Sequence, residues 1–234
     1  MRNAVLATKP CNERSRYPLA ALLIVVMSSA SVEAGIISFL GDVDIIAPPP
    51  SVVLGALEDD QLTRVFLEQS ALILGSDVDA DVMSPGAVDE AVDLTPGTIF
   101  SGTRVDSYLL HFDPLSDSGA SSGGSVTFNR DILGILVQTS SLDATDALLG
   151  ALATTYQLND FRGVEGLGFA AEGVTVNDVV TLSADFRTIG FDFSTTSRID
   201  EIRVITAVPE PAALGFIFVG VVNLLVDRRK RSAL

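Results

Sequence analysis

The chain has 234 residues, 30 acidic and 15 basic side chains, a net charge of −15, one cysteine, one histidine and no tryptophan. An acidic field repels phosphate and excludes a nucleic-acid partner. One cysteine cannot build a disulfide framework, and one histidine cannot build a histidine-based zinc site.

Arg2, Lys9, Arg14 and Arg16 precede a short apolar run, Leu19 to Met27. Val32-Glu33-Ala34 then places small or modest side chains at the −3 and −1 positions before Gly35. The run is too short for a membrane span and a cleavage site follows, so residues 1–34 read as a cleaved secretory signal peptide. Cys11 lies in this leader, which leaves 35–207 without cysteine. That stretch is long enough to bury one apolar core. It carries 26 acids against seven bases, all arginine, a net of −19. Solubility in external salt is the simpler reading of this charge, and divalent-cation binding the sharper one.

Short runs of β-branched, aromatic and apolar residues recur through 35–207, divided by Gly, Pro, Asp and Ser clusters. The pattern predicts an all-β fold, a two-sheet antiparallel sandwich of jelly-roll type. Gly35–Leu40, Asp42–Ala47 and Ser51–Leu57 are the first expected strands, with Pro48-Pro49-Pro50 as a donor-free link between the last two. Thr63–Leu74 fits helix or strand spacing except at Gln69, and its strand-like neighbours favour strand. Thr103–Phe112 alternates clearly, with Tyr108, Leu110 and Phe112 on one face and Ser107, Leu109 and His111 on the other. Asp113-Pro114 stops it, and Ser116–Gly124 reads as a flexible loop.

Ser125–Phe128 and Ile132–Thr139 are further strands. Ser141–Leu149 is expected to be helical, with Asp143 as N-cap and Asp146 at the positive end of the dipole. Val164–Ala170, Val174–Val176, Val179–Phe186 and Ile189–Phe193 follow as strands. Ile199–Ala207 closes the domain, with Ile202, Val204 and Thr206 toward the core and Glu201 and Arg203 facing out.

Little in this stretch carries chemistry. His111 sits between apolar neighbours with no nucleophile-elbow pattern nearby, so it reads as a structural or surface side chain. Two carboxylates could serve a glycosidase, but sugar platforms favour aromatic rings and only Tyr108 and Tyr156 are tyrosines here. No enzymatic activity is expected. The best metal candidate is the alternate-acid triplet Asp77, Asp79 and Asp81, which suits oxygen ligation of Ca2+. It is not an EF-hand, because Val82 and Val88 occupy the glycine and glutamate positions. The permissive spacing favours the plainer alternative, a solvated strand face. Asp59-Asp60 and Asp89-Glu90 read as solvated loop charges.

The tail has three parts. Val208-Pro209-Glu210-Pro211 leads into an uncharged apolar run, Ala212 to Val226, and then Asp227-Arg228-Arg229-Lys230-Arg231. The prolines impose a stiff, extended backbone suited to an enzyme's groove. The run is short for a spanning helix, which needs roughly 17–25 residues. The cationic cluster Arg228, Arg229, Lys230 and Arg231 nonetheless fits the cytoplasmic flank of a single C-terminal membrane helix.

These residues, 208–231, resemble the PEP-CTERM sorting signal of Gram-negative bacteria. The segments GTRVDSYLLHFDP, SVTFNRDILGILV, LDATDALLG, VTLSADFRTIGFDF and IDEIRVITAVPEP are similar to stretches in the ectodomains of such proteins. The resemblance implies recognition of Pro209, Glu210 and Pro211 by an exosortase, transient residence in the inner membrane, and delivery to the cell envelope or extracellular polysaccharide matrix. It assigns no activity to the domain. The expected organisation is leader 1–34, β-sandwich ectodomain 35–207 and sorting tail 208–234. The expected role is structural or adhesive, with a calcium-dependent carbohydrate-binding module of the exopolysaccharide matrix as the alternative.

Overall fold

The alternation of Thr103–Phe112 becomes the strand around which the domain is organised. The computed structural model describes residues 35–115, 120–159, 162–164, 178–195 and 198–209. In chain order the strands are β1 (Ile36–Gly41), β2 (Val43–Ile45), β3 (Thr63–Ile73), β4 (Val78–Ala80), β5 (Gly86–Val88), β6 (Gly97–Ile99), β7 (Arg104–Phe112), β8 (Ala120–Phe128) and β9 (Ile132–Leu136). The helix α1 (Thr139–Leu149) follows, and then β10 (Val179–Leu182), β11 (Thr188–Thr195) and β12 (Asp200–Ala207). A first sheet has the order β1-β8-β11-β10-β5 and a second the order β2-β3-β7-β12-β9, while β4 and β6 form a small two-stranded sheet.

The two large sheets face each other across a core that includes Val65, Leu110, Phe112, Ile202 and Val204 from one and Val126, Phe128, Ile189, Phe191 and Phe193 from the other. Period-two alternation puts these residues on inward faces. Aromatic pairs bridge the gap, with Tyr108 and Phe128 rings 4.8 Å apart and Phe112 and Phe193 rings 6.3 Å apart. The expected mostly-β, sandwich-like architecture is therefore present. All but one of the pairings between these strands are antiparallel. The exception is β2 with β3. A parallel pair needs a crossover of a dozen or more residues, and segment 46–62 supplies it. Within this crossover the triple proline gives no donors, but its carbonyls accept from Thr154 Oγ1 and the Thr155 N–H.

The second sheet is buried on both sides. Its outer face carries a second core of Phe66, Val105, Leu109, Leu136 and Ile205, covered by Leu142 and Leu149 of α1, by Val52, and by Val78, Ala80 and Ile99 of the β4–β6 sheet. The sequence pattern does not show this third layer, since β7 reads as ordinary one-sided alternation, yet residues from Val105 to Phe112 are all buried.

Several boundaries differ from expectation. Ser51–Leu57 forms no strand beyond an isolated bridge, because Gly55 turns at positive φ and its N–H and that of Leu57 bond to Asp113 Oδ2. Residues 120–124, expected as loop, belong to β8, where small side chains let β1 approach closely. At Gly124 a Cβ would lie 2.6 Å from the Leu40 carbonyl and 3.0 Å from Val43 Cγ2. Helix α1 starts at Thr139, so Asp143 lies inside it rather than at the N-cap. The expected strands Val164–Ala170 and Val174–Val176 lie outside the described residues, apart from Val164.

The Gly124 contact yields a test. Gly124→Ala is expected to destabilise the domain by about 1–3 kcal/mol, the usual cost of overpacking. Ser121→Ala, exposed on the same strand, should change stability by no more than about 0.5 kcal/mol. Urea unfolding of both variants measures this, and equal midpoints would show that β1 and β8 do not approach so closely.

Candidate functional site

Strand β12 lies between β7 and β9 and is buried on both faces, so Glu201 and Arg203 cannot face solvent as the sequence suggests. Both are fully buried and point into the layer between the second sheet and α1. A charge in that position must be paired and hydrogen-bonded.

Arg203 meets this requirement with five bonds. Its Nε and Nη2 donate to Glu68 at 2.7 and 2.8 Å, a two-pronged pairing across β12 and β3. Nη2 also donates to Asp146 at 2.8 Å, and Nη1 donates to Thr145 Oγ1 and the Leu142 carbonyl. A guanidinium has five N–H donors, so the group is saturated. Glu68 is saturated from its other side by Ser107 Oγ and the Tyr156 hydroxyl, each at 2.7 Å.

Arg162 repeats the arrangement beside it. Its Nε donates to Glu201 at 2.5 Å, and its Nη1 donates to Asp146, Asp143 and the Gln157 carbonyl. Glu201 Oε1 also lies 2.9 Å from His111 Nδ1, and His111 Nε2 is 4.0 Å from Asp113 Oδ2. Both guanidinium carbons lie over the Tyr156 ring, at 5.6 Å for Arg162 and 5.5 Å for Arg203, within cation–π range. Glu68, Ser107, His111, Glu201 and Arg203 stand on β3, β7 and β12, Asp143 and Asp146 on α1, and Tyr156 and Arg162 on the segment that follows it.

The electrostatics favour fixed charge. Burial works against the Arg203 cation, but Glu68 and Asp146 outweigh it and raise its pKa above the ordinary arginine value. Arg162 is raised in the same way by Glu201 and Asp146. Burial and the adjacent Glu68 carboxylate push the Tyr156 hydroxyl up, so it stays protonated and donates. Burial works to raise the Glu201 carboxyl, but the Arg162 charge and the His111 contact prevail and hold it below the usual carboxylate range.

His111, expected to be structural or at the surface, is buried within this cluster. The buried groups bind sheet to cover, and Asp143 and Asp146 are the cluster's partly exposed members. A bulge explains how β3 takes part. The pairing with β7 slips between Leu67 and Gln69, so both Glu68 and Gln69 reach the cover, Gln69 through the Gly150 carbonyl. This is the position at which strand alternation fails in the sequence.

The structure sends Asp77, Asp79 and Asp81 to different partners. Asp77 accepts from the Ser101 N–H and Asp79 from Thr98 Oγ1, both at the surface. Asp81 turns inward and accepts from the Val137 and Gln138 N–H groups and Ser141 Oγ. It thus supplies the polar contact at the start of α1 that Asp143 was expected to give. The Asp81 and Val82 N–H groups both bond to the Ile135 carbonyl, which breaks the strand alternation that would have kept the three acids on one face. Among the described residues no group of three or more His, Cys, Asp or Glu side chains is placed to hold a metal ion. Asp59 and Asp60 act as loop fasteners, accepting from the Gln61, Leu62 and Leu115 N–H groups.

Of the tail, Pro209 is described and exposed. Glu210, Pro211 and the cluster Arg228, Arg229, Lys230 and Arg231 lie outside the described residues, as does the leader 1–34. Among the described residues no helix is long and apolar enough to cross a membrane.

The ionic cluster sets a pH dependence. Because the folded Glu201 carboxyl sits below the ordinary glutamate value of 4.5, its stabilisation is present above that value and is lost as pH falls through the folded one. Buried Asp106 works in the opposite sense, its carboxyl raised by desolvation from 3.8 and its contribution lost as pH rises. The comparison with Glu201→Gln isolates the first effect. At pH 7 that variant should be less stable by about 3 kcal/mol, the cost of breaking a buried pair. The gap should shrink as the pH is lowered past 4.5. A gap that is constant from pH 7 to pH 3 in denaturant titrations would refute the pairing.

No protein-family model matches the chain, and no curated protein or solved structure does either.

Proposed function

We propose that this chain is an exported structural or adhesive protein of the bacterial cell envelope or extracellular matrix. A leader directs export, a jelly-roll-like sandwich forms the mature domain, and a PEP-CTERM-like tail is processed by an exosortase after transient residence in the inner membrane. The jelly-roll description refers to the repeated crossing of the chain between the two large sheets, as from β7 to β8 to β9.

The observation that carries the reading is where the last described strand ends. Among the described residues the Val208 N–H makes the last ladder bond, to the Arg104 carbonyl at 2.9 Å, and the next residue is Pro209. Proline has no N–H to donate to a ladder, so the Pro-Glu-Pro motif begins directly after the last described ladder bond. A recognition motif placed there leaves the domain intact when it is bound or cut. The buried charge cluster agrees with a scaffold, since its arginines, Glu201 and Tyr156 are held in one protonation state.

Processing tests the sorting role. Glu210→Ala, and separately deletion of residues 228–231, should leave uncut precursor in the inner-membrane fraction of a host with an active exosortase. Normal maturation of both variants would overturn the proposal. The adhesive role is tested against the carbohydrate-binding alternative by probing a glycan array with the mature domain, with calcium and with EDTA. The structural reading expects no binding in either condition. Calcium-dependent binding would replace it and return attention to Asp77 and Asp79.

A further inference from the structure

The first and last residues of the described domain meet at one pole. The Gly35 N–H donates to Asn129 Oδ1 at 3.2 Å, and the Asn129 N–H returns a bond to the Gly35 carbonyl at 3.1 Å. Two residues further on, the Asp131 carbonyl accepts the Ala207 N–H at 2.9 Å. Residues 129 and 131 are separated by at most about 7 Å of chain. One short turn thus fastens both ends.

Charge is divided along the same axis. At this pole stand Arg104, Arg130 and Arg187 against Asp77, Asp131, Asp185 and the buried Asp106, a nearly even balance, and Arg187 pairs with Asp131 at 3.1 Å. At the opposite pole, Asp42, Asp44, Glu58, Asp59 and Asp60 stand against Arg64. Asp178 and Asp200 lie at this end too, but both are buried, beside one arginine, Arg198. Eight residues of β12 separate the poles, or about 25 Å at strand rise.

We infer that the pole built from Arg104, the turn 129–131 and Arg187 faces the outer surface of the inner membrane while the tail is inserted, with an anionic lipid surface as its partner. The inference rests on the tail being membrane-inserted. Four residues, Val208 to Pro211, join the last strand to the apolar run, a tether of at most about 14 Å. The tether brings this pole to the headgroups. The nearly balanced pole approaches acidic lipids at a smaller electrostatic cost than the acid-rich pole would. The acid-rich pole then lies about 25 Å further out, well beyond the screening length of about 8 Å at physiological salt. The reverse orientation would hold at least five acids against a negative surface.

The cysteine-free domain allows a direct test. In full-length chain carrying Cys11→Ser, single cysteines are placed at exposed Ala184 or Ser101, near the proposed membrane pole, and at exposed Gln61, far from it. Each is labelled with a nitrobenzoxadiazole probe. The proteins are reconstituted into phosphatidylethanolamine–phosphatidylglycerol vesicles containing a headgroup spin-labelled lipid. Labels at 184 and 101 should be quenched severalfold more than the label at 61. Equal or reversed quenching in chain that floats with the vesicles would overturn the orientation alone. Failure of the chain to float would show that the tail does not insert, and would remove the sorting proposal together with this one.

Discussion

A charged side chain on a strand that is covered on both faces has one tolerable arrangement, complete pairing. Arg203 on β12 is in that position, and the domain is built to meet its requirement. Glu68 reaches it from β3, Asp146 and Thr145 from α1, and Tyr156 closes the set from the segment beyond the helix. Removing any of these partners leaves desolvated charge, which costs far more than a lost surface contact. The cover is therefore fixed to the second sheet by direction-dependent bonds as well as by apolar burial. Hydrophobic contact alone permits sliding, whereas a two-pronged guanidinium–carboxylate pair does not.

The same cluster places residues 150–159 and 162–164. Arg162 donates from these residues to β12 and α1 together, so the chain beyond the helix is tied to the sheet it covers. Arginine suits this task better than lysine, because its planar fork bonds several carboxylates at fixed angles and stays charged. That 35–207 contains seven arginines and no lysine is consistent with such use. Strand β12 then carries two duties. It is the central partner of the buried pairs, and its far end leads into the tail. A pull on the tail is thus met by a strand hydrogen-bonded on both sides, to β7 and β9.

Much of the fold is legible in the sequence because alternation reports burial on one face. Ile189, Phe191 and Phe193, and likewise Ile202 and Val204, occupy the core face that their spacing indicates. The failure of alternation at Gln69 is legible too, and it marks the bulge. Glu201 and Arg203 mislead for a definite reason. Period-two patterning separates polar from apolar faces, but cannot tell a polar face in water from one sealed beneath another layer. Asp81 misleads similarly. Its spacing with Asp77 and Asp79 holds only while β4 stays regular, and the strand ends at Ala80. The small residues of 120–124 resemble a loop because glycine and serine are ordinary loop residues. Their role as a close-packed strand depends on β1 and β11 lying beside them.

The sequence by itself determined the mostly-β class, the inward faces of β7, β11 and β12, the acidity of the domain and the three-part character of its tail. These follow from local order and composition, which tertiary contacts do not alter. Tertiary structure decided which charges are buried, which partners they take, and that both ends of the domain leave from one pole. Such features join residues up to 135 positions apart, as in the pairing of Glu68 with Arg203. No local pattern can encode a meeting that exists only once the sheets have stacked.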